Sequence, residues 1–397
     1  MNREDFPILK NNIIYLDNGA TTLKPQVVID SMNDYYANYS ANAHRGDYDI
    51  SLKVDNKYEE VRDKVRRFIN AKSNKEIVFT YGTTDSLNMI AKGFFMNYLT
   101  DNDEILITKS EHASNVLPWF DIASNSKIKV DYIELDNDYE VTLDNIKKKI
   151  NNKTKVIALA QITNVIGDER PLKEIIEYAH LNNILVVVDG AQSVPHKKID
   201  VRALDIDFLA FSAHKMCGPT GVGVLYAKEE YMEHIEPVRL GGGMNESFDD
   251  INKVYLKPIP TRLEAGTPNI AGVIGLGATI DYLNNIGLAN IRRHELELGK
   301  YLYKELLNIR HIEIVNKKPS SIISFNVNGI FAQDVAVYLN KYGICVRAGN
   351  HCAKILKDEI KVKNTVRVSL YFYNTKEEID KLIDLLKDKN KILNEML

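Results

Sequence analysis

The chain has 397 residues, 45% of them hydrophobic and 26% charged, with a formal charge of −3. That length accommodates a full core and two domains, and a charge balance with no basic excess gives nucleic-acid binding no support. No apolar run reaches the roughly 18 residues that suggest a membrane span. The opening MNREDFPILKNN is charged and shows no apolar signal-peptide core. The three cysteines, Cys217, Cys345 and Cys352, lack framework spacing and suit a reducing cytoplasm. Neither CxxC nor HExxH occurs, so no metal site is expected.

In chain order, LKPQVVIDSM puts Pro25 where a first helical turn tolerates it. Strand-like runs follow at EIVFT (76–80) and EILIT (104–108). The lysines of NIKKKINNKTK, broken up by asparagine and apolar residues, read as a solvated helix face. Four more β-rich runs are KVIALAQIT (155–163), ILVVVDGA (184–191), IDFLAFSA (206–213) and GVGVLYA (221–227), with amphipathic segments such as LKEIIEYAHLNN among them. Near-continuous apolar strands alternating with helices predict an α/β domain whose mostly parallel sheet is covered on both faces. The last third differs. SSIISFNV reads as a strand, AQDVAVYLNKYG as a helix ending in Gly, and TVRVSLYFY as an alternating strand. The final helix is predicted to open on a capping box, Thr375 and Glu378. The expected division is a large domain over 26–284 and a smaller α+β domain formed by 1–25 and 285–397.

Three pieces fall at the carboxyl ends of predicted strands, where open α/β sheets bind ligands. In VFTYGTTDSLNMIA, Thr83 and Thr84 open a helix after a strand, a ready anion site. In VVVDGAQSVPH, Asp189 ends an apolar strand and needs a partner for its charge. In FLAFSAHKMCGPTGVG, Lys215 follows a buried strand, where a lysine loses its proton more easily and suits Schiff-base chemistry. Each has a plain alternative: a Thr cap, an Asp capping a turn, a surface lysine at a strand end. As an ordered series they match the needs of pyridoxal phosphate, which takes a phosphate cradle, a pyridinium partner and a Schiff-base lysine.

With YLDNGATT, NAHRG, EHASNVLPW, TNVIG, RLEAGTPN, RAGNHCA and VRVSLYFYNT added to these pieces, the sequence resembles the cysteine desulfurases of the class V aminotransferase family. The likeness is to the type that supplies sulfur for iron–sulfur cluster assembly, and it covers nearly the whole chain. It implies fold type I, a homodimer, pyridoxal phosphate as cofactor and L-cysteine as substrate. It implies that Lys215 is the Schiff-base lysine and proton-transfer base, that Asp189 pairs with the pyridine nitrogen, and that His112 stacks on the cofactor ring. Gln192 would donate to the phenolic oxygen. Thr83, Thr84, Ser212 and His214 would bind phosphate, with Thr267 reaching across the dimer. Arg367 would clamp the substrate carboxylate beside Asn164, with Arg347 near the thiol loop and His44 and Arg45 as site walls.

By the same resemblance Cys352 is the nucleophile that carries sulfur as a persulfide to an acceptor protein of the iron–sulfur assembly system. Free cysteine has a pKa of about 8.5, so positive neighbours would help, and Arg347 and His351 are candidates. Cys345 reads as core and Cys217 as a buried neighbour of the site. The chain departs from the family's usual wording at Asn350, Ala213 and Gln161, and after the glycines of LGGGMNESFDD. Two alternatives stand beside this reading. One is a selenocysteine lyase or another lyase or transaminase of the same class; the other is a non-catalytic protein that kept the fold.

Overall fold

The computed structural model describes residues 3–43 and 46–395; His44 and Arg45 lie outside the described residues. The strands in chain order are β1 (Ile14–Tyr15), β2 (Ile77–Thr80), β3 (Glu104–Thr108), β4 (Lys129–Ile133), β5 (Thr154–Ala160), β6 (Leu185–Asp189), β7 (Phe208–Ser212), β8 (Gly223–Ala227), β9 (Asn245–Phe248), β10 (Val254–Leu256), β11 (Ile312–Ile314), β12 (Ile322–Val327), β13 (Ile344–Cys345), β14 (Arg347–Gly349) and β15 (Thr365–Ser369).

Seven of them form one sheet in the order β2-β8-β7-β6-β5-β3-β4. It is parallel from β7 to β4, and β8 alone runs against its neighbours. Strands β3, β6, β7 and β8 are buried at every position. Their side chains alternate between two separate cores. Ile157, Leu159, Val186 and Val188 pack on one face with the helix Leu172–Leu181, while Val156, Ala158, Leu185 and Val187 pack on the other with Leu87 and Trp119. Double coverage explains why these runs read as continuously apolar.

A second, antiparallel sheet has the order β11-β12-β15-β14, and β1 pairs in parallel with β13. Its core joins Ile323, Phe325, Val366 and Val368 to apolar faces of the helices Leu288–Leu307, Ala332–Lys341 and Lys376–Leu386. The alternating TVRVS is buried on both faces. Val366 and Val368 enter this core, whereas Thr365, Arg367 and Ser369 bond to polar groups on the side toward the large sheet.

Several boundaries differ from those predicted. KVIALAQIT stops being a strand at Ala160, where the chain turns toward Arg170, whose N–H donates to the Gln161 carbonyl. Pro25 caps the helix Gln26–Asn38 from one position outside it. The capping box of Thr375 and Glu378 is present, but Lys389–Asn394 forms one further helix behind it. No described helix is long and apolar enough to cross a membrane.

Candidate active site

A cavity of about 210 Å³ opens at the carboxyl ends of β6 and β7, against β14 and β15. One corner is built by the turn after β2. Gly82 there has φ +151, and a Cβ on Gly223 of β8 would fall 2.4 Å from the Gly82 Cα, so both positions need glycine. That close approach carries Thr83 to Ser212: the Thr83 N–H donates to Ser212 Oγ at 2.7 Å, and the two hydroxyls are 2.6 Å apart. Thr84 Oγ1 lies 2.7 Å from Ser114 Oγ. His214 lines the same cavity, pushed down to about 4 by burial and by Lys215, so its ring is neutral near pH 7.

Asp189 ends β6 at 5% exposure and accepts from the Ala191 N–H at 2.9 Å. Burial pushes its carboxyl up to about 6, against the pull of Lys215. Lys215 sits in the single turn after β7; burial pushes its ammonium down, and Asp189 opposes the shift. Both groups are strained toward neutrality, which suits a lysine that must present a free amine. His112 caps the turn Ala113–Asn115, its Nδ1 accepting from the Ser114 N–H at 3.1 Å, so the neutral ring carries its proton on Nε2. Burial and the cations Lys215, Arg367 and Arg347 push His112 down to about 4.

Arg367 is 2% exposed. It donates to the Asn164 carbonyl and to Asp17 Oδ1, each at 2.9 Å, while its Nε is buried without a partner. A Cβ on Gly19 would sit 3.1 Å from the guanidinium. Arg347 pairs with Arg367 across β14 and β15. Cys352 is exposed at the cavity mouth. It and His351 are left-handed, with φ +55 and +52. Both carbonyls are pinned, His351 by Asn164 Nδ2 at 2.6 Å and Cys352 by the Ala113 N–H at 2.8 Å.

This donor set fits pyridoxal phosphate. The hydroxyls of Thr83, Thr84 and Ser212 form an anion corner, Asp189 and Lys215 share one wall, and Gln192 Oε1, Asn164 Oδ1 and Arg367 Nε are buried polar atoms awaiting partners. The family described as Aminotransferase class-V matches residues 14–382. The chain belongs to the class-V aminotransferase family. Among its relatives, a "Probable cysteine desulfurase" of Halalkalibacterium halodurans is 43% identical over 95% of this chain and 94% of its own, and one of Synechocystis is 41% identical over 97% and 94%. Among solved structures, the cysteine desulfurase CsdA of Escherichia coli superposes with a TM-score of 0.93 at 35% identity, covering 100% of this chain and 98% of its own. The apo cysteine desulfurase of Thermococcus onnurineus NA1 gives 0.93 at 39%, covering 99% and 97%.

In this class-V chain the predicted residues Thr83, Thr84, His112, Asn164, Asp189, Gln192, Ser212, His214, Lys215, Arg347, Cys352 and Arg367 line one cavity. Thr267 does not; it is exposed and within 3.4 Å of Asn42 Nδ2. Gln192 donates one Nε2 hydrogen to the Gly19 carbonyl at 2.8 Å and keeps a second N–H for a phenolic oxygen, while its Oε1 has no partner among the described residues. Two expectations change. His351 is no positive helper of Cys352, because burial, Arg367, Lys357 and Arg347 push it down to about 2. Cys345 is half-buried in β13 rather than core. Two further contacts have no local sequence signal: Asp17, which holds Arg367, and the fully buried pair Arg170–Glu111 at 2.6 Å, which anchors the His112 turn. Asp17 and Glu111 lie within YLDNGATT and EHASN.

Proposed function

We propose that the protein is a pyridoxal-phosphate-dependent cysteine desulfurase that takes the sulfur of L-cysteine onto Cys352, releases alanine and passes the sulfur to an acceptor protein for iron–sulfur cluster assembly. The observation that carries this reading is a free thiol, Cys352, on the same cavity as the Lys215–Asp189 pair and the Arg367 guanidinium. The chemistry drawn from the bound cofactor is electron withdrawal from the amino acid joined to it, which acidifies Cα and weakens the Cβ–S bond. Thr83, Thr84, Ser212 and His214 hold its phosphate, and Asp189 keeps its ring nitrogen protonated. Arg367, fixed by Asp17 and Asn164, orients the substrate carboxylate. Lys215, once free, takes the Cα proton. The Cys352 thiolate then attacks the substrate sulfur: an S–S bond forms at Cys352, the Cβ–S bond breaks with its electron pair staying on carbon, and the carbon skeleton takes a proton at Cβ and another at Cα before it leaves as alanine.

The acceptor has a docking place of suitable character. Beside Cys352 lies a cleft of about 510 Å³ with Val116, Leu117, Phe120, Ala348 and Ile355 in its walls. The homodimer is supported by the β9–β10 hairpin, which leaves Phe248, Ile251, Val254 and Tyr255 exposed, and Thr267 is assigned to the phosphate of the opposite subunit. The cytoplasm is the setting that keeps three free cysteines reduced. The division into 26–284 and 1–25 with 285–397 gives each sheet its own domain, with Phe6, Leu23, Leu288, Ile291 and Tyr371–Tyr373 of the smaller one packing into the core of the large sheet. Incubating the yellow holoenzyme with L-cysteine and weighing its peptides tests the central step. A gain of one sulfur on the Cys352 peptide is expected, and Cys352→Ala is expected to keep the cofactor absorbance while losing sulfide release. Normal desulfuration by Cys352→Ala would overturn the assignment.

A further inference from the structure

Behind the thiol loop lies a buried lysine that the reaction above does not use. Lys357, in the helix Lys354–Glu359, is 3% exposed. Its Nζ has one hydrogen-bond partner among the described residues, Thr365 Oγ1 at 2.7 Å, and no carboxylate partner there. Burying a cation without a counter-charge is expensive, so the position calls for a physical reason. The other face of the same hydroxyl is occupied: His351 Nε2 lies 2.8 Å from Thr365 Oγ1 and 3.2 Å from the Thr365 carbonyl. His351 is 4% exposed, and its Nδ1 is buried with no partner among the described residues. His351 and its chain neighbour Cys352 line the same cavity. Lys357 Nζ, Thr365 Oγ1 and the His351 ring are therefore one continuous chain, ending in an unpartnered ring nitrogen at the residue next to the thiol.

A hydroxyl between two nitrogens has a single proton to direct. When the Lys357 ammonium donates to Oγ1, the hydroxyl donates to Nε2 and the imidazole proton sits on Nδ1. When Nζ is neutral it accepts from the hydroxyl, Oγ1 accepts from Nε2–H, and Nδ1 is a bare acceptor. The first arrangement holds one proton more than the second, taken up at Nδ1 and registered at Nζ.

We propose that Lys357, Thr365 and His351 form a relay that receives the proton of the Cys352 thiol before the thiolate attacks sulfur. The thiol proton passes to His351 Nδ1, the Nε2 proton passes to Thr365 Oγ1, and the hydroxyl proton passes to Lys357 Nζ. Three N–H or O–H bonds form, one S–H, one N–H and one O–H bond break, and nothing is oxidised or reduced. Lys357 acts through its neighbours and is a positioning residue. The charged and titratable groups around the chain are Arg367 on β15, Arg347 on β14, and Cys352 itself. Burial and Arg367 push Lys357 down to about 8, near the roughly 8.5 of a free thiol, so the proton moves without a large step in affinity. The neutral state of His351 lets the ring pass a proton without holding a charge.

The relay rests on Cys352 as the sulfur carrier, but its test reads the thiol alone. In holoenzyme without cysteine, the rate of Cys352 alkylation by iodoacetamide is followed against pH by mass spectrometry of the Cys352 peptide. Lys357→Met and Thr365→Val are each expected to slow alkylation near neutral pH about tenfold and to move the midpoint of the profile up by about one unit. Thr365→Ser is expected to keep the parent profile. Lys357→Met is also expected to raise the melting temperature, since it removes a buried amine that has no carboxylate partner among the described residues, whereas a lysine with only a structural role would lower it and leave alkylation alone. Should Lys357→Met fold poorly, the Val and Ser variants at Thr365 decide by themselves. Parent-like profiles for Lys357→Met and Thr365→Val would overturn the relay and leave the persulfide result untouched.

Discussion

Three histidines surround the cavity, and all are held neutral for the same reason: each shares a crowded, partly dry space with cations. His112 and His214 are pushed down to about 4 and His351 to about 2. A histidine of ordinary affinity in the unfolded chain binds a proton below about pH 6.5 that the folded form refuses. The unfolded state then carries more protons, so stability from such a group is complete above pH 6.5 and is lost as pH falls. His351→Asn removes the deepest of these sites. Urea unfolding at several pH values between about 6.5 and about 4 is expected to show a stability slope shallower than the parent's by up to one proton, at most about 1.4 kcal/mol per pH unit. An unchanged slope would mean that His351 is charged in the folded protein. At this scale the sequence was most legible where chemistry is local. Asp189 ends a predicted strand, and Thr83 and Lys215 follow one within three residues, a placement that a local pattern can show. Asp17 and Arg367 are 350 positions apart and touch at 2.9 Å; no local pattern announces such a pair.

At the scale of single elements, legibility followed burial. Strands covered on both faces advertise themselves as apolar runs, and EILIT and IDFLAFSA contain β3 and β7. The edge strand β4, KVDYI, mixes charge with half-buried positions, and the hairpin NESF and VYL keeps its side chains mostly exposed, so neither has a recognisable period. Close contacts between elements were equally silent. Gly223 looks like an ordinary strand glycine, yet its hydrogen faces the Gly82 backbone where a Cβ has no room. Gly223→Ala forces β8 and the Thr83 turn apart. A loss of about 1–3 kcal/mol is expected, seen as a lower melting temperature of the apoprotein, together with faster loss of cofactor on dialysis of the holoenzyme. Parent-like retention and melting would show that the turn yields at no cost.

At the scale of the whole molecule, the RLEAGTPN segment is tied to the large sheet by one buried carboxylate. Glu264 accepts from Arg62 at 2.7 Å and from the Phe79 N–H at 2.7 Å. Thr267 is thus carried on an anchored arm, and the exposed hairpin lies a short way before it. On the proposed homodimer, Phe248→Asp with Ile251→Asp is expected to shift the protein from dimer to monomer in sedimentation velocity without lowering the stability of the chain itself, because both side chains are largely exposed in one subunit, at 74% and 76%. An unchanged sedimentation coefficient would overturn the hairpin as the contact of that dimer. The two sheets also separate the chemistry. Thr83, Asp189 and Lys215 follow strands of the large sheet, while Arg347, Cys352 and Arg367 stand on or between the last two strands of the small one. Each sheet packs on its own core, so the loop that carries Cys352 stands apart from the strands that carry Asp189 and Lys215. On the proposed reading, activating the amino acid and receiving its sulfur fall to different sheets, so a change confined to the loop between β14 and β15 would alter the fate of the sulfur while leaving the Asp189–Lys215 wall intact.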